Sequence, residues 1–533
     1  MNFDLIVIGG GTAGCVLANR LSENGKHSVL LLEGGRSDKH PFTRIPVANV
    51  MAVQNPEFDR CYRLEPDPSR GGREEHWAAA RVLGGGSAIN GMMFIRGHRG
   101  DYDRWAQQGA TGWDYQGVLP YFRRAEHNTR GGDDCRGADG PQSVDDARIE
   151  HPLTAAWIAA AQEAGIPRAA DLNGELAEGV DRVQVSQRGG WRHTTAAAHI
   201  WPAKNRANLK LELQAEVTRI LFKDGRAVGV EYRQHGQTLR AEARRGVVLS
   251  AGAMTTPKLL MLSGIGPQAH LREFGIEVVA DLPGVGANLQ DHAGVHLVAE
   301  VDQPTLNAPR TALGGIGQAL NFFLRGRGAL TSSIGHAQAF VRTRPDLAQP
   351  NIQIIMVPLA FELDAKGAIK LCDAPSISQM VAANHPRSRG SIRLRSASAE
   401  DKPRIQLSLL GDEQDVTDLA EGLTLARRIF EQPALRRHIT REVRPGSAAV
   451  GQEALKAYVH NAGMCMYHPS GTCKMGQDEM SVVDPQLRVC GVAGLWVADA
   501  SVMPSITAGN INATVLMIGE KASDLIEAEL AKT

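Results

Sequence analysis

The sequence has 533 residues, of which 43% are hydrophobic and 22% charged, so it can bury the cores of two or three globular domains. Its 58 Lys and Arg residues equal its 58 Asp and Glu residues, giving no electrostatic reason to expect nucleic acid or an anionic membrane as a partner. No run approaches the ~18 apolar residues that span a bilayer. The start, Met1-Asn2-Phe3-Asp4, lacks a secretory signal. We expect a protein that is free in the cytoplasm or peripheral at the inner membrane.

Cysteine spacing and metal motifs exclude two further classes. The seven cysteines are scattered and form no Cys-x-x-Cys pair, which argues against a disulfide framework and a zinc site. The sequence contains no His-Glu-x-x-His motif and no cluster of carboxylates. A Gly-x-Ser-x-Gly nucleophile elbow is also absent. We therefore predict neither a metal centre nor a serine hydrolase.

The first predicted elements form one strand-loop-helix-strand unit. Residues 5–8 are wholly apolar, as in a central parallel strand. Residues 13–25 place apolar side chains on one helical face and end in Asn-Gly. Residues 28–32 predict a second strand, which is followed by Glu33. This order is what a doubly wound α/β domain requires.

The loop of this unit, residues 9–14, reads Gly-Gly-Gly-Thr-Ala-Gly. Gly9 permits a tight turn, Gly11 lets a phosphate approach the backbone, and Gly14 lets the helix pack on the strand. The helix N-terminus can then face a pyrophosphate. Glu33 lies 19 residues beyond Gly14, where its carboxylate can accept bonds from ribose hydroxyls and disfavours NADP. The loop by itself fits NAD and FAD equally.

Later elements suggest two domains. Apolar runs at 247–249 and 495–498 predict further strands of the first sheet, which makes the nucleotide domain discontinuous. Residues 352–357 and 391–394 predict strands, 415–430 a helix, and 128–146 a surface loop. We predict an α/β nucleotide-binding domain and an α+β substrate domain with a mixed or antiparallel sheet covered by helices. The first comprises residues 1–150, 195–300 and 480–533, and the second residues 151–194 and 301–479.

Six more segments carry a resemblance that runs nearly end to end. They are residues 81–90, 252–267, 288–292, 385–390, 468–472 and 509–512. In this order they are similar to the signature segments of the glucose-methanol-choline (GMC) oxidoreductase family. The resemblance implies FAD bound in an extended form. One departure stands out, because Ala78-Ala79-Ala80 replaces the usual Pro-Arg-Gly before the first signature.

The resemblance also implies the FAD contacts, which combine the glycine loop with the family segments. They are Gly9, Gly11, Thr12, Ala13, Gly14, Glu33, Gly34, Gly85, Ser87, Asn90, Gly91, Met92, Met93, Val217, Ala251, Asp499, Ala500, Asn510 and Ile511. Some relatives that bind FAD covalently place a histidine just before the Asn of the first signature. Here that residue is Ile89, so we expect non-covalent FAD.

Oxidation of an alcohol needs a base for the hydroxyl proton while hydride moves from carbon to the flavin. A histidine suits this role because its ordinary pKa is about 6.5. A second hydrogen-bonding side chain must orient the alcohol oxygen. The resemblance assigns the base to His468 and the partner to Asn512. We expect His292 and His385 to be structural.

The sequence indicates the substrate less clearly than it indicates the cofactor. Within the family, the chain is similar to the choline dehydrogenase-like members. Among these it resembles the bacterial dehydrogenases that act on L-sorbose, aliphatic alcohols or polyethylene glycols. We predict a primary alcohol of a sugar or polyol first, and an aliphatic or aromatic alcohol second. His336 stands where choline-acting relatives carry an acid, which disfavours choline. His336 and Trp77 are our candidate substrate contacts.

The electron acceptor is predicted to be a quinone or another non-oxygen acceptor. Two alternatives remain open. One is an oxidase of the same family that reduces O₂ to H₂O₂, and the other is a lyase whose FAD is structural. The oligomeric state is not indicated by the sequence.

Overall fold

A computed structural model describes residues 1–175, 177–307, 312–363 and 369–532. Its fourteen strands in two large sheets are β1 (Asn2–Ile8), β2 (Val29–Glu33), β3 (Gly179–Arg182), β4 (Leu209–Leu213), β5 (Glu216–Lys223), β6 (Arg226–Gln234), β7 (Gln237–Leu249), β8 (Ala293–Val301), β9 (Ala337–Val341), β10 (Ile352–Val357), β11 (Ser376–Ala383), β12 (Ile439–Arg444), β13 (Met464–Cys465) and β14 (Leu495–Val497).

The longer helices are α1 (Thr12–Glu23), α2 (Arg99–Gln107), α3 (Tyr115–Ala125), α4 (Pro152–Glu163), α5 (Thr255–Leu262), α6 (Ala312–Arg325), α7 (Glu413–Glu431), α8 (Gly451–Ala462) and α9 (Asn512–Leu530). Short helices cover Pro41–Arg44, Gly86–Ile89, Trp201–Ala203, Gln268–Glu273 and Pro433–Arg436. Short strands outside the two sheets include Tyr62–Arg63, His76–Trp77, Glu126–Asn128, Gln142–Asp146, Phe361–Leu363, Ile369–Leu371, Ser391–Arg393 and Arg404–Gln406.

The first sheet has the strand order β4-β2-β1-β7-β6-β5, and β14 pairs with β7. Strands β4, β2, β1, β7 and β14 run parallel to one another, and their apolar side chains are mostly buried, as in a sheet covered on both faces. The carboxyl ends of β1, β2, β7 and β14 therefore lie along one edge. Ligands of open α/β sheets bind at this edge.

The second sheet has the strand order β12-β8-β11-β10-β9-β3, and β13 pairs with β8. Every pairing in it is antiparallel. Helix α7 packs on β8, β10 and β11, while α4 and α8 pack beside it. The predicted fold class is confirmed, a nucleotide-binding α/β domain joined to an antiparallel sheet covered by helices.

Two predicted boundaries were wrong. We ended the nucleotide domain at residue 300, but β8 pairs with β11 and β12 in the second sheet, so this segment ends before Ala293. The predicted loop at 128–146 ends in a strand, Gln142–Asp146, which pairs with Glu126–Asn128. Its Gly- and Asp-rich composition hid this strand.

Among the residues that the structure describes, no helix combines the length and the apolar character needed to cross a membrane.

The contact between β1 and α1 depends on Gly14. A Cβ atom there would lie 1.8 Å from the Gly9 carbonyl oxygen, and both groups are backbone. We predict that Gly14→Ala lowers the free energy of unfolding by about 3 kcal/mol or more, because neither backbone can move away. Gly317→Ala is the matched control, since a Cβ at this exposed helical position meets no described residue within 4 Å. Denaturant unfolding of the two variants checks this, and equal stability would contradict it.

Candidate active site

One connected cavity of about 2080 Å³ lies between the two sheets. It begins at Glu33, passes the N-terminus of α1, and reaches His468 in the second domain. The predicted cofactor contacts that line it are Gly9, Gly11, Thr12, Ala13, Glu33, Gly34, Gly85, Asn90, Gly91, Met92, Met93, Val217, Ala251, Asp499, Ala500, Asn510 and Ile511. The fold therefore brings distant segments of the chain to one site.

Two predicted contacts are not among the lining residues. Gly14 packs its backbone on Gly9, as described above. The Ser87 hydroxyl donates to the Gly84 carbonyl at 2.6 Å and accepts from the Thr195 N–H at 2.9 Å. Both residues therefore support the cavity wall without lining the cavity themselves.

The nucleotide end of the cavity fits a dinucleotide. Gly11 precedes α1, so the N–H groups of the first helical turn face the cavity, and no acidic residue stands in that turn. The Glu33 carboxylate accepts from the N–H groups of Gly10 and Gly35 at 2.8 and 2.6 Å, which fixes it at the end of β2. This arrangement provides donors for phosphates and an acid for ribose hydroxyls.

The cavity wall near this end contains Ala78-Ala79-Ala80, the segment that replaces the family's usual Pro-Arg-Gly. All three alanines line the cavity, and so does Arg60. The Arg60 guanidinium binds the Glu216 carboxylate at 2.9 Å, and Arg60 N–H donates to the Ala79 carbonyl at 2.8 Å. Arg60 thus places a guanidinium, paired with Glu216, at this wall, and the sequence did not single this residue out.

His468 is held in place through its backbone. The Asp291 carboxylate accepts from the N–H groups of Met466, Tyr467 and His468 at 3.1, 3.2 and 2.8 Å. Tyr467 has a φ of 61°, a strained value for a residue with a Cβ. The three bonds to Asp291 therefore stabilise a tight turn that presents His468 to the cavity.

The protonation of His468 is set by a neighbouring histidine. The His292 Nε2 lies 3.1 Å from the Asn384 carbonyl, which can only accept, so Nε2 carries a proton. Burial and the nearby His468 lower the pKa of His292 well below its usual range, so this ring is neutral. Its Nδ1 must then accept from His468 Nδ1, 2.9 Å away. The lone pair of His468 is left on Nε2.

Burial also lowers the pKa of His468 to about 4. The side chain is consequently unprotonated at neutral pH. Its Nε2 lies 3.2 Å from Asn510 Nδ2, which can donate to it. A neutral base and an amide donor therefore meet at one point of the cavity, as alcohol oxidation requires.

The predicted partner of His468, Asn512, lines the cavity together with Asn510, and its role stays a prediction. Asn512 begins α9, and its Oδ1 accepts from the Thr12 hydroxyl at 2.8 Å. It lines the cavity but does not bond to His468, whereas Asn510 does. The amide that we assigned to the cofactor is the one beside the base. His292, which we predicted to be structural, also contacts the base directly.

The two candidate substrate contacts do not line the cavity. Trp77 is fully buried among the apolar side chains of the second core. His336 is 2% exposed, and its Nε2 lies 2.9 Å from the Ser332 hydroxyl. We therefore withdraw both assignments, and with them the argument from His336 against choline.

One group of possible metal ligands occurs in the described part of the chain. It contains Asp59, Cys61 and His76, whose ligand atoms lie within 4.8 Å of one another. The Asp59 carboxylate already accepts from the N–H groups of Gln54, Cys61 and Ala79. The Asp59 carboxylate is thus already hydrogen-bonded by three backbone N–H groups, and we assign no metal to these three residues.

The fold and this site define a flavin-dependent oxidoreductase. Family models described as GMC oxidoreductase match residues 3–294 and 386–519, and the chain belongs to this family. It is therefore an FAD flavoprotein with the family's alcohol-oxidising type of site.

Known relatives cover almost the full chain. Mitochondrial choline dehydrogenase of Homo sapiens is 40% identical over 99% of this chain and 90% of its own length. The oxygen-dependent choline dehydrogenase of Vibrio vulnificus is 40% identical over 98% of this chain and 94% of its own length. Among solved structures, pyridoxine 4-oxidase from Mesorbium loti has a TM-score of 0.89 and 29% identity, with 98% of both chains covered. Formate oxidase has a TM-score of 0.90 and 26% identity, covering 100% of this chain and 99% of its own.

Gly11 offers a direct test of the FAD site. Among the described residues a Cβ there would meet only the Ser250 carbonyl, at 3.8 Å, so the protein itself tolerates a side chain. The cavity does not, because Gly11 lines it where a phosphate must approach the helix. We predict that Gly11→Val folds but binds FAD at least about tenfold more weakly, a loss of roughly 1.4 kcal/mol. Titration of the apoprotein with FAD checks this, and unchanged affinity would place the phosphates elsewhere.

Proposed function

We propose that the chain oxidises a primary alcohol to the aldehyde, with His468 as the base and Asn510 as the group that orients the alcohol oxygen. The observation that carries the proposal is the unprotonated Nε2 of His468 beside the Asn510 amide in the FAD cavity. Bound FAD supplies the hydride acceptor. The residues of the chain supply the remaining requirements, which are a base and an amide that orients the alcohol oxygen.

The proton path follows from the histidine pair. The hydroxyl proton moves to His468 Nε2, while the Asn510 Nδ2 donates to the alcohol oxygen. The positive charge that then forms on His468 is shared through its Nδ1–H with the Nδ1 of His292. Because the pKa of His468 is low, its protonated ring is acidic and releases this proton before the next cycle.

The lining of the substrate chamber supports an alcohol with an apolar chain. The side chains there are mainly Met and branched aliphatic residues: Met92, Met93, Ile355, Val357, Leu359, Met380 and Met466. A sugar would leave several hydroxyl groups facing this wall without partners, at a cost of about 1–3 kcal/mol each. We therefore favour an aliphatic or aromatic primary alcohol over a sugar or polyol. Choline is a second candidate, because relatives that are 40% identical carry its name.

The electron acceptor is proposed to be a quinone or a similar carrier. O₂ is the second candidate, since two of the most similar solved structures are named as oxidases. The two are separated by the yield of H₂O₂. One equivalent per alcohol consumed in air would favour the oxidase, and dye- or quinone-dependent turnover without peroxide would favour the dehydrogenase.

Steady-state assays with a dye acceptor test the substrate class. The panel contains 1-alkanols, benzyl alcohol, L-sorbose and choline. We predict the highest kcat/KM with an alkanol or with benzyl alcohol. A higher kcat/KM with L-sorbose or choline would contradict the apolar assignment, and no turnover with any alcohol would contradict the proposed function.

The choice between the two asparagines is open to a matched comparison. Asn510→Ala removes the amide beside His468, so we predict that kcat falls by about 10²-fold while bound FAD is retained. Asn512→Ala leaves the pair of His468 and Asn510 intact and removes only the bond to Thr12. Its effect on kcat is predicted to be at least about tenfold smaller. Flavin reduction by stopped flow measures both, and a larger loss in Asn512→Ala would restore the first assignment.

The histidine pair predicts a pH profile. Since burial lowers the pKa of His468 to about 4, the base stays unprotonated as pH falls, and kcat/KM should hold down to about pH 5.

His292→Phe removes the acceptor at Nδ1, which frees the proton to move to Nε2, so kcat/KM should fall about tenfold or more. His292→Gln keeps a donor and an acceptor at similar positions and should recover part of the loss. Equal activity of the Phe and Gln variants would show that the ring only fills space.

A further inference from the structure

The outer end of the cavity carries two basic side chains that the reaction itself does not use. His296 lies on β8, and Arg444 is the last residue of β12. Both line the cavity. Arg444 pairs in register with Val298, two residues beyond His296, so His296 and Arg444 lie on the same face of the sheet.

His296 is 8% exposed, and its Nε2 has no hydrogen-bond partner among the described residues. Its ring packs edge-on against Phe361, with the ring centroids 5.1 Å apart. Burial and the charge of Arg444 lower the pKa of His296 to about 4, so the ring is neutral. A buried polar atom without a partner is costly, which points to a group that joins it when a ligand binds.

Arg444 is a cation without a carboxylate partner within 4.0 Å in the described part of the chain. Its Nη2 donates to the Phe361 carbonyl at 2.6 Å, and its buried Nε has no partner among the described residues. The acids on neighbouring strand positions are already paired, Glu442 with Arg427 and Glu300 with Arg441.

Glu362 also lines the cavity, but it is exposed and forms no ion pair with Arg444 within the ranges that the structure describes. Within the described ranges, no carboxylate is therefore paired with Arg444 where it lines the cavity.

Strand β8 sets the distance between this end and the base. His292, which contacts His468, stands just before β8, and His296 follows four residues later. Four residues of a strand span about 13 Å. The wall between them carries Met380, directly opposite His296, and Met466. The chamber is thus apolar in the middle, with the base at one end and the two basic side chains at the other.

We infer that His296 and Arg444 form a distal subsite for a carboxylate, so that the preferred substrate is a primary alcohol with an apolar chain and a carboxylate at its far end. This rests on the proposed function and names its substrate class. An arginine binds a carboxylate through two parallel N–H bonds, and the histidine adds a further donor. Such a subsite repels a trimethylammonium group, which separates this chain from a choline-type specificity.

The first test compares matched substrates with the holoenzyme. The probes are ω-hydroxyalkanoic acids of roughly eight to ten carbons, which span the chamber, the 1-alkanols of equal length, and choline. We expect kcat/KM for the hydroxy acid to exceed that for the alkanol by about tenfold or more. An alkanol that is used better than the hydroxy acid would overturn the subsite.

The second test uses variants on neighbouring positions of β12. Arg444→Gln should lower the ratio of kcat/KM for the hydroxy acid to that for the alkanol by about tenfold, mainly through KM. Arg444→Glu should shift the preference to an ω-aminoalkanol of the same length. Arg441→Gln is the matched control, because Arg441 is exposed and paired with Glu300, and the ratio should stay as in the wild type. An unchanged ratio in Arg444→Gln would overturn the inference.

A binding measurement separates the two hypotheses. Octanoate, which lacks the hydroxyl, should perturb the absorbance of the bound flavin in the wild type and about tenfold more weakly in Arg444→Gln. If octanoate binds in this way but no alcohol reduces the flavin, the subsite stands and the proposed function fails. If alkanols reduce the flavin but octanoate does not bind, the proposed function stands and the subsite fails.

Discussion

The site depends on how the Asp291 carboxylate and the His292 ring hold one turn of the chain. Asp291 accepts three consecutive backbone N–H groups of residues 466–468, and His292 accepts the Nδ1 proton of His468. The first contact fixes where His468 stands and the second fixes which nitrogen carries the lone pair. Without these two contacts, neutral His468 could carry its proton on either ring nitrogen. The tautomer with the proton on Nε2 could not act as the base.

The same two residues link the domains. They precede β8, the strand that pairs with β11 and β12 in the second sheet, while the edge of the first sheet supplies the N-terminus of α1. The cavity is therefore built where the carboxyl ends of parallel strands meet the start of β8. Residues of the first domain would hold the FAD and the base comes from the second, so the proposed reaction would take place at the domain boundary.

Much of this was predictable from the sequence where the signal was local. The unit β1-loop-α1-β2 is contiguous, its glycines have separate steric roles, and the fold class followed from it. The place of β8 was not predictable, because Ala293–Val301 is almost wholly buried and apolar and fits either sheet. The same holds for the asparagines. Asn510 and Asn512 are two residues apart, and only the start of α9 turns Asn512 toward Thr12 and leaves Asn510 facing His468.

We propose that an alcohol bound beside His468 gives up its hydride within this cavity. Anaerobic mixing of the holoenzyme with a primary alcohol tests it most directly. We expect the oxidised flavin absorbance to bleach with formation of one aldehyde per flavin, and His468→Ala to slow this bleaching by orders of magnitude while keeping its FAD. Consumption of the alcohol without bleaching, or equal rates in the wild type and His468→Ala, would contradict it.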